Sequence, residues 1–186
     1  MKTLSRALPA SVLVVGAIVA LGNYVASAQV KGNDNHIAVM DDCLPGDLTW
    51  NSIGGCTLQP HQGDVPRAEF AALLRSPLTI PPNGALIGHP SWRNEPSHLT
   101  ASSGKTIRVT NKGGRGHTFT EVANFGGGFV AGLNIGLTAA PECVSVANPP
   151  IALAPGATIE LTATGLGLHK FECCIHPWMR ATIRVE

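Results

Sequence analysis

The sequence has few charged side chains, and neither sign dominates among them. Charged residues make up 13% of the 186 residues, and the 13 basic side chains are balanced by 12 acidic ones. A nucleic-acid-binding surface needs basic side chains concentrated on one face, because it must neutralise many phosphates. The composition therefore argues against a nucleic-acid partner.

A long apolar run is also missing. A membrane-spanning helix needs about 20 consecutive apolar residues, whereas the N-terminal apolar stretch covers only 12–21 and is flanked by Pro9 and Asn23. Two basic residues precede this stretch, and an A-x-A pattern at 26–28 follows it, as in a cleavable signal peptide. We predict a signal peptide at residues 1–28, export to the periplasm or the extracellular space, and no stable membrane span after cleavage. A retained anchor is the alternative.

The five cysteines are an odd number for an exported chain, so one thiol should remain after the others have paired. A metal-ligating thiolate is the obvious role for that thiol, which leaves four cysteines for two disulfides. Cys43 and Cys56 enclose a segment rich in Gly, Pro, Asp and Asn, which is typical of a disulfide-closed loop. A zinc site is the alternative for this pair.

Glycine and proline are abundant, with 21 and 14 residues, and this favours a loop-rich, all-β protein. Residues 29–97 show no strand pattern of a sandwich. Within them, an Asp-x-Pro start at 64–66 and an apolar face at 70–74 predict one short helix that ends before Pro77. We therefore predict that 29–97 is an irregular N-terminal extension with one short helix and a disulfide loop.

From residue 98 onward, short alternating runs are separated by glycines. Five strands are predicted, at 106–110, 117–122, 157–163, 168–173 and 181–185. A glycine-rich insertion at 125–137 separates the second strand from the third and should drape over one end of the domain. Regularly spaced short strands with Gly and Pro turns indicate that 98–186 forms a β-sandwich or barrel.

The last predicted loop contains three side chains that bind soft metals. Residues 171–179 read FECCIHPWM, and Cys173, His176 and Met179 have the spacing Cys-x2-His-x2-Met. Two sulfur donors and one imidazole suit copper far better than calcium or magnesium. One further histidine would complete a His2Cys set with a weak axial Met, which is the ligand pattern of blue-copper electron-transfer sites.

Strand parity favours Cys173 over Cys174 as the ligand. Side chains two apart in a strand share a face, so Cys173 should point inward together with the large apolar Phe171. Cys174 would point to the opposite side, and it lies only two residues from His176, a poor reach for two ligands of one small metal. We therefore predict Cys173 as the thiolate ligand.

The remaining ligand has to be a histidine from elsewhere in the chain. His117 follows the turn GGRG at 113–116 and begins a predicted strand, which brings the backbone close to a site. For the remaining histidines we expect structural or solvent roles. These are His36, His61, His89, His98 and His169. The predicted metal ligands are therefore His117, Cys173, His176 and Met179.

The segment GHTF at 116–119, together with FECCIHPWM, resembles the cupredoxin (type 1 blue copper) family. Among amicyanin and plastocyanin-like members, the loop is most similar to that of amicyanin, because plastocyanin-like members have a longer step from His to Met. The resemblance covers 98–186 and implies an eight-stranded Greek-key β-sandwich with one type 1 copper ion at one end. It makes His117, Cys173 and His176 the equatorial ligands and Met179 the axial one.

This chain departs from the family pattern at two positions. Thr118 stands where the family usually has Asn, which helps to tie the ligand loops together. The doublet of Cys173 and Cys174 is also unusual, and a free Cys174 would threaten the site. Four cysteines allow three pairings, and we predict Cys43 with Cys56 and Cys174 with Cys143.

The predicted function is electron transfer by an exported single-copper protein that cycles between Cu(II) and Cu(I) and is not an enzyme. Four protein ligands imply no open coordination position for a substrate. The resemblance implies that redox partner proteins dock near His176, which would emerge through an apolar patch, and we expect a monomer.

A copper-binding module for storage or delivery is the alternative. Such modules usually have exposed sites rich in Met or His, and this chain has only three Met. A multicopper redox enzyme would need further His-rich motifs, and the sequence shows none.

Overall fold

The computed structural model describes residues 35–72, 79–80, 85–86 and 88–186, with the backbone alone described at 79–80 and 85–86. These residues lie in one compact unit, Asn33–Glu186. The predicted signal peptide lies outside the described residues. Within the described part of the chain, no helix has the length and apolar character needed to cross a membrane.

The described residues form twelve strands and several short helical segments. The strands are β1 (His36–Met40), β2 (Thr79–Ile80), β3 (Ala85–Leu86), β4 (Arg93–Glu95), β5 (His98–Ala101), β6 (Thr106–Asn111), β7 (His117–Thr118), β8 (Thr120–Val122), β9 (Ala152–Leu153), β10 (Thr158–Thr162), β11 (Gly167–Glu172) and β12 (Arg180–Val185). The helical segments are the α-helix α1 (Arg67–Ala72) and 3-10 helices at Leu48–Ile53, Ala131–Leu133 and Pro141–Val144.

Eight of these strands form two four-stranded sheets. The first sheet has the order β10-β6-β1-β4, and the second has the order β5-β12-β11-β8. Each sheet is mixed, because β1 runs parallel to β6 and β5 runs parallel to β12, while the other pairings are antiparallel. The predicted all-β sandwich is confirmed, as are the strands predicted after residue 98, except that the strand predicted at 117–122 is divided into β7 and β8, which pair with different strands.

Alternating side chains of the sheets form the core. In β6 the buried positions are Ile107, Val109 and Asn111, and the residues between them are more exposed. Phe119 and Phe171 stack within the core, with ring centroids 4.7 Å apart. Because strand side chains alternate between faces, one face of each sheet is apolar and the two faces pack together.

The expectation that 29–97 contributes no strand to the sandwich is wrong. β1 lies between β6 and β4 in the first sheet, and Ile37 and Val39 are fully buried. Their alternation covers only five residues, and the main partner of β1 is more than 60 residues away along the chain. No turn signal therefore marks this pairing in the sequence. β4 is harder still to predict, because its sequence is RNE and its buried residue is Asn94.

The helix predicted in the extension is present as α1, and Phe70 is its buried residue. The other predicted members of its apolar face, Leu73 and Leu74, lie outside the described residues. Both predicted disulfides are confirmed, namely Cys43–Cys56 and Cys143–Cys174. The zinc alternative for the first pair is thereby excluded, and Cys173 is free and buried.

The glycine-rich insertion packs against the chain that follows β11. Phe129 N donates a hydrogen bond to the carbonyl oxygen of Cys174, with an N···O distance of 2.9 Å. A Cβ atom added to Gly128 would overlap that carbonyl group. The insertion can therefore reach this position only if residue 128 has no side chain.

We expect Gly128→Ala to lower the free energy of unfolding by about 1–3 kcal/mol, because the added methyl group would push the insertion away from Cys174. Urea denaturation of the metal-free protein measures this change. Gly46→Ala is the matched control, since a Cβ there meets nothing within 4 Å. Equal losses in the two variants would contradict the close packing at Gly128.

Candidate metal centre

Three potential ligand side chains meet at one end of the sandwich. One atom from each of His117, Cys173 and His176 lies within 4.8 Å of the others. The distance from Cys173 Sγ is 3.9 Å to His117 Nδ1 and 3.6 Å to His176 Nδ1. All three residues are buried. These three donors, which were predicted from the sequence, thus do come together in the structure.

Backbone hydrogen bonds within the loop after β11 fix the conformation of that loop. Cys173 N donates to the carbonyl oxygen of Met179 at 3.0 Å, and Met179 N donates to that of His176 at 2.8 Å. Met179 is fully buried and belongs to the same core cluster as Cys173. Its role as an axial ligand stays a prediction.

The surroundings of Cys173 favour the ionised form of its thiol. Although burial alone would raise its pKa, hydrogen bonds with His117 and His176 bring that pKa well below the usual value for a thiol. Thr118 N also donates a hydrogen bond to Sγ at 3.3 Å. Because the thiolate is the metal-binding form of cysteine, Cys173 is ready to bind a metal ion.

The buried carboxylate of Asp41, which was not predicted from the sequence, contacts the ring nitrogen of His117 that faces away from Cys173. His117 Nε2 donates to Asp41 Oδ2 at 2.8 Å, and both side chains are inaccessible to solvent. Asp41 also accepts hydrogen bonds from the backbone amides of Cys43, Gly114 and Arg115 at 3.0–3.3 Å. This arrangement turns Nδ1 of His117 toward Cys173 and fixes the ring orientation.

The ionisation of this pair follows from its contacts. Although burial alone would raise the pKa of Asp41, the hydrogen bond and the charge of His117 hold it below its usual value. Although burial alone would lower the pKa of His117, hydrogen bonds to Asp41 and Cys173 raise it to about 9. Binding of a metal at Nδ1 would therefore release a proton from His117.

Asp41 was not predicted to belong to the site, because its sequence context is typical of a turn. It precedes Asp42, Cys43 and a Pro-Gly pair, and the segment opens a loop. The only available signal was its position directly after β1, and β1 itself was not predicted. Its partner His117 lies 76 residues away.

Aromatic side chains cover His176. Its ring centroid lies 5.9 Å from that of Phe70, 6.4 Å from that of Trp92 and 5.5 Å from that of Trp178. His176 is only 4% exposed, so its ring is almost fully covered, and the docking of a partner near it stays a prediction. Burial lowers its pKa, so that the imidazole is neutral and able to bind a metal.

This aromatic cover comes mainly from the N-terminal extension. Phe70 lies on α1, Trp92 precedes β4, and Trp50 packs against both, with ring centroids at 5.5 and 6.0 Å. The helix sequence indicates no chemistry, because nothing local connects it with a loop about 100 residues further along the chain. Part of the extension thus forms the wall of the candidate centre.

The remaining described histidines do not belong to the group of three donors. His89 pairs with Glu69 at 3.0 Å, and His169 pairs with Glu121 at 2.7 Å. His36 and His98 contact threonine hydroxyls at 3.0 and 2.6 Å. These contacts agree with the structural roles predicted for them.

The spacing of the three donors fits a transition-metal ion. Bonds of about 2.3 Å to a thiolate sulfur and about 2.0 Å to an imidazole nitrogen, at angles of about 110–130°, separate the two ligand atoms by about 3.5–3.9 Å. The two observed S···N distances, 3.6 and 3.9 Å, lie at this separation. A thiolate with two imidazoles suits copper or zinc rather than a hard cation.

The similarities to known proteins concern the fold alone. No family model and no curated protein matches the chain. A purple cupredoxin from Nitrosopumilus maritimus is 18% identical, over 53% of this chain and 86% of that one, with a TM-score of 0.35. A reduced tryptophan-to-tyrosine mutant of amicyanin is 22% identical, over 60% of this chain and 92% of that one, with a TM-score of 0.36.

Proposed function

We propose that this protein is an exported electron carrier with one type 1 copper ion, held by His117, Cys173, His176 and Met179. The proposal is carried by one observation, the buried free thiolate with two imidazole nitrogens at 3.6 and 3.9 Å. A buried methionine in the same loop supplies the weak fourth donor expected of such a site. The two disulfides support export, because disulfides persist in oxidising compartments.

The protein's own residues would tune and hold the centre. A copper ion bound here would supply a one-electron couple between Cu(II) and Cu(I). Asp41 fixes the ring of His117, and the backbone amide of Thr118 donates to the Cys173 sulfur. Such contacts hold the ligand positions and tune the electronic properties of the site. Because hydrogen bonds and close packing hold the donors in place, a change of oxidation state would require little movement of the ligands.

Burial of the donors also bears on the other candidate functions. The ring of His176 is buried beneath Phe70, Trp92 and Trp178. Because this cover limits the access of a substrate or a metal acceptor to the donors, the site favours electron transfer over substrate turnover and over rapid delivery of the metal. Redox partner proteins would dock on this aromatic cover, where Trp178 is partly exposed, rather than on His176 itself. We expect the carrier to act as a monomer.

Copper loading tests the proposal. We expect the mature protein to become intensely blue with Cu(II) and to bleach reversibly with a mild reductant. Cys173→Ser should stay colourless, because it lacks the thiolate that gives such sites their colour, whereas His169→Ala should keep the colour. A wild-type protein that binds copper without colour would remove the electron-carrier proposal and leave storage or delivery.

A further inference from the structure

A pocket of about 420 Å³ opens beside the ring of His176. Phe70 of α1, Leu133 of the 131–133 helix and Ile175 of the metal-binding loop form much of its apolar wall. This volume lies in the range of small-molecule sites. The pocket therefore offers an apolar surface next to a predicted metal ligand.

Two arginines, Arg67 and Arg115, also line this pocket. Within the part of the chain that the structure describes, neither guanidinium forms a salt bridge with a carboxylate. Two cations thus lie close together without a direct acidic partner.

The hydrogen-bonding capacity of the two side chains is only partly used. Arg115 donates to the carbonyl oxygens of Ile53 and Gly55 and lies 5.0 Å from the centre of the Trp50 ring. Arg67 Nε is buried and has no hydrogen-bond partner. A buried donor without a partner is unfavourable, and an anion in the pocket would satisfy it.

The two neighbouring acidic residues, Asp41 and Asp47, do not pair with the guanidinium groups of Arg67 and Arg115. Asp41 is occupied by His117 and by backbone amides. Asp47 accepts hydrogen bonds from Thr49 and from the backbone amide of Arg67, and it forms no salt bridge with the Arg67 guanidinium. The charge in the pocket therefore remains available to a ligand.

We propose that this pocket binds a small molecule in which a carboxylate is attached to an apolar body. The carboxylate would pair with Arg67 and Arg115, because a guanidinium matches the two oxygens of a carboxylate. The apolar body would lie against Phe70 and Leu133, beside His176. An inorganic anion would leave these apolar walls in contact with water, so it fits the pocket less well.

Calorimetric titration of the metal-free protein with benzoate tests the proposal without relying on copper. We expect saturable binding of one benzoate per chain, about tenfold weaker binding to Arg67→Gln, and weaker binding of the uncharged benzyl alcohol to the wild-type protein. The Arg67 side chain makes no hydrogen bond in the described structure, so this variant should fold. Arg93→Gln is the matched control, because Arg93 pairs with Asp42 and Glu95 and does not line the pocket.

Three results would overturn the proposal. They are no saturable binding of benzoate to the wild-type protein, equal binding to the wild-type protein and to Arg67→Gln, and inorganic phosphate binding as tightly as benzoate. In a second titration of the copper-loaded protein, benzoate should shift the visible spectrum, because the ligand lies against His176. This last effect rests on the proposed function, whereas binding to the metal-free protein does not.

Discussion

Replacing Asp41 with alanine is expected to lower the free energy of unfolding of the metal-free protein by about 3–5 kcal/mol. The Asp41 carboxylate is inaccessible to solvent and accepts hydrogen bonds from His117 and from three backbone amides. Its removal would leave these donors buried without partners, and it would also take away the hydrogen bond that raises the pKa of His117, so that the buried ring would either give up its proton or keep a positive charge without its counter-ion. Breaking a buried ion pair in this way is far more destabilising than losing an exposed one.

The neighbouring residue provides a matched control for this prediction. Asp42 is partly exposed and lies 3.7 Å from Arg93, so Asp42→Ala should lower the free energy of unfolding by less than about 1 kcal/mol. Urea denaturation of the two variants and of the wild-type protein measures both changes. Similar losses for the two variants would contradict a special role for Asp41.

The conservative variant separates the folding role of Asp41 from its role at the metal centre. Asp41→Asn keeps the shape of the side chain but removes its charge and half of its accepting capacity. We expect this variant to bind copper about 10–100-fold more weakly than the wild-type protein, as is typical when a partner behind a metal ligand is lost. Unchanged affinity in Asp41→Asn would mean that Asp41 serves folding alone.

The sequence was sufficient to predict the parts of the site that lie close together along the chain. Cys173 and His176 fall within one loop, together with Met179, whose role as a ligand stays a prediction. The parity of the preceding strand distinguishes Cys173 from Cys174. The odd number of cysteines independently indicates one free thiol. His117 could be predicted because a glycine-rich turn precedes it and because one histidine was still required.

The parts that could not be predicted depend on contacts between distant segments. Asp41 reaches His117 because β1 pairs with β6. A strand of five residues whose partners are distant along the chain is difficult to recognise in the sequence. Phe70 and Trp92 appear in the sequence as an ordinary apolar helix face and a residue of a connector. Their position over His176 arises when the extension packs on the sandwich, and it determines how far the site is exposed.

The disulfide between Cys143 and Cys174 gives the second large expected effect. Its two cysteines are 31 residues apart, and the closed loop should stabilise the protein by about 4 kcal/mol through its effect on the unfolded chain. The variant with both cysteines replaced by alanine should therefore lose about this much free energy of unfolding. The corresponding variant of Cys43 and Cys56, which are 13 residues apart, should lose about 3 kcal/mol.

Loss of this disulfide should nevertheless leave the metal centre intact. Cys174 packs in a small cluster with Val122 and Ala140, whereas the adjacent Cys173 belongs to the main core. Because the two side chains point to opposite sides of the strand end, removing the disulfide takes away no donor. We expect the double alanine variant, once folded and loaded with copper, to keep the absorption per copper ion of the wild-type protein. A colourless but folded variant would show that the disulfide is needed to hold Cys173 in place.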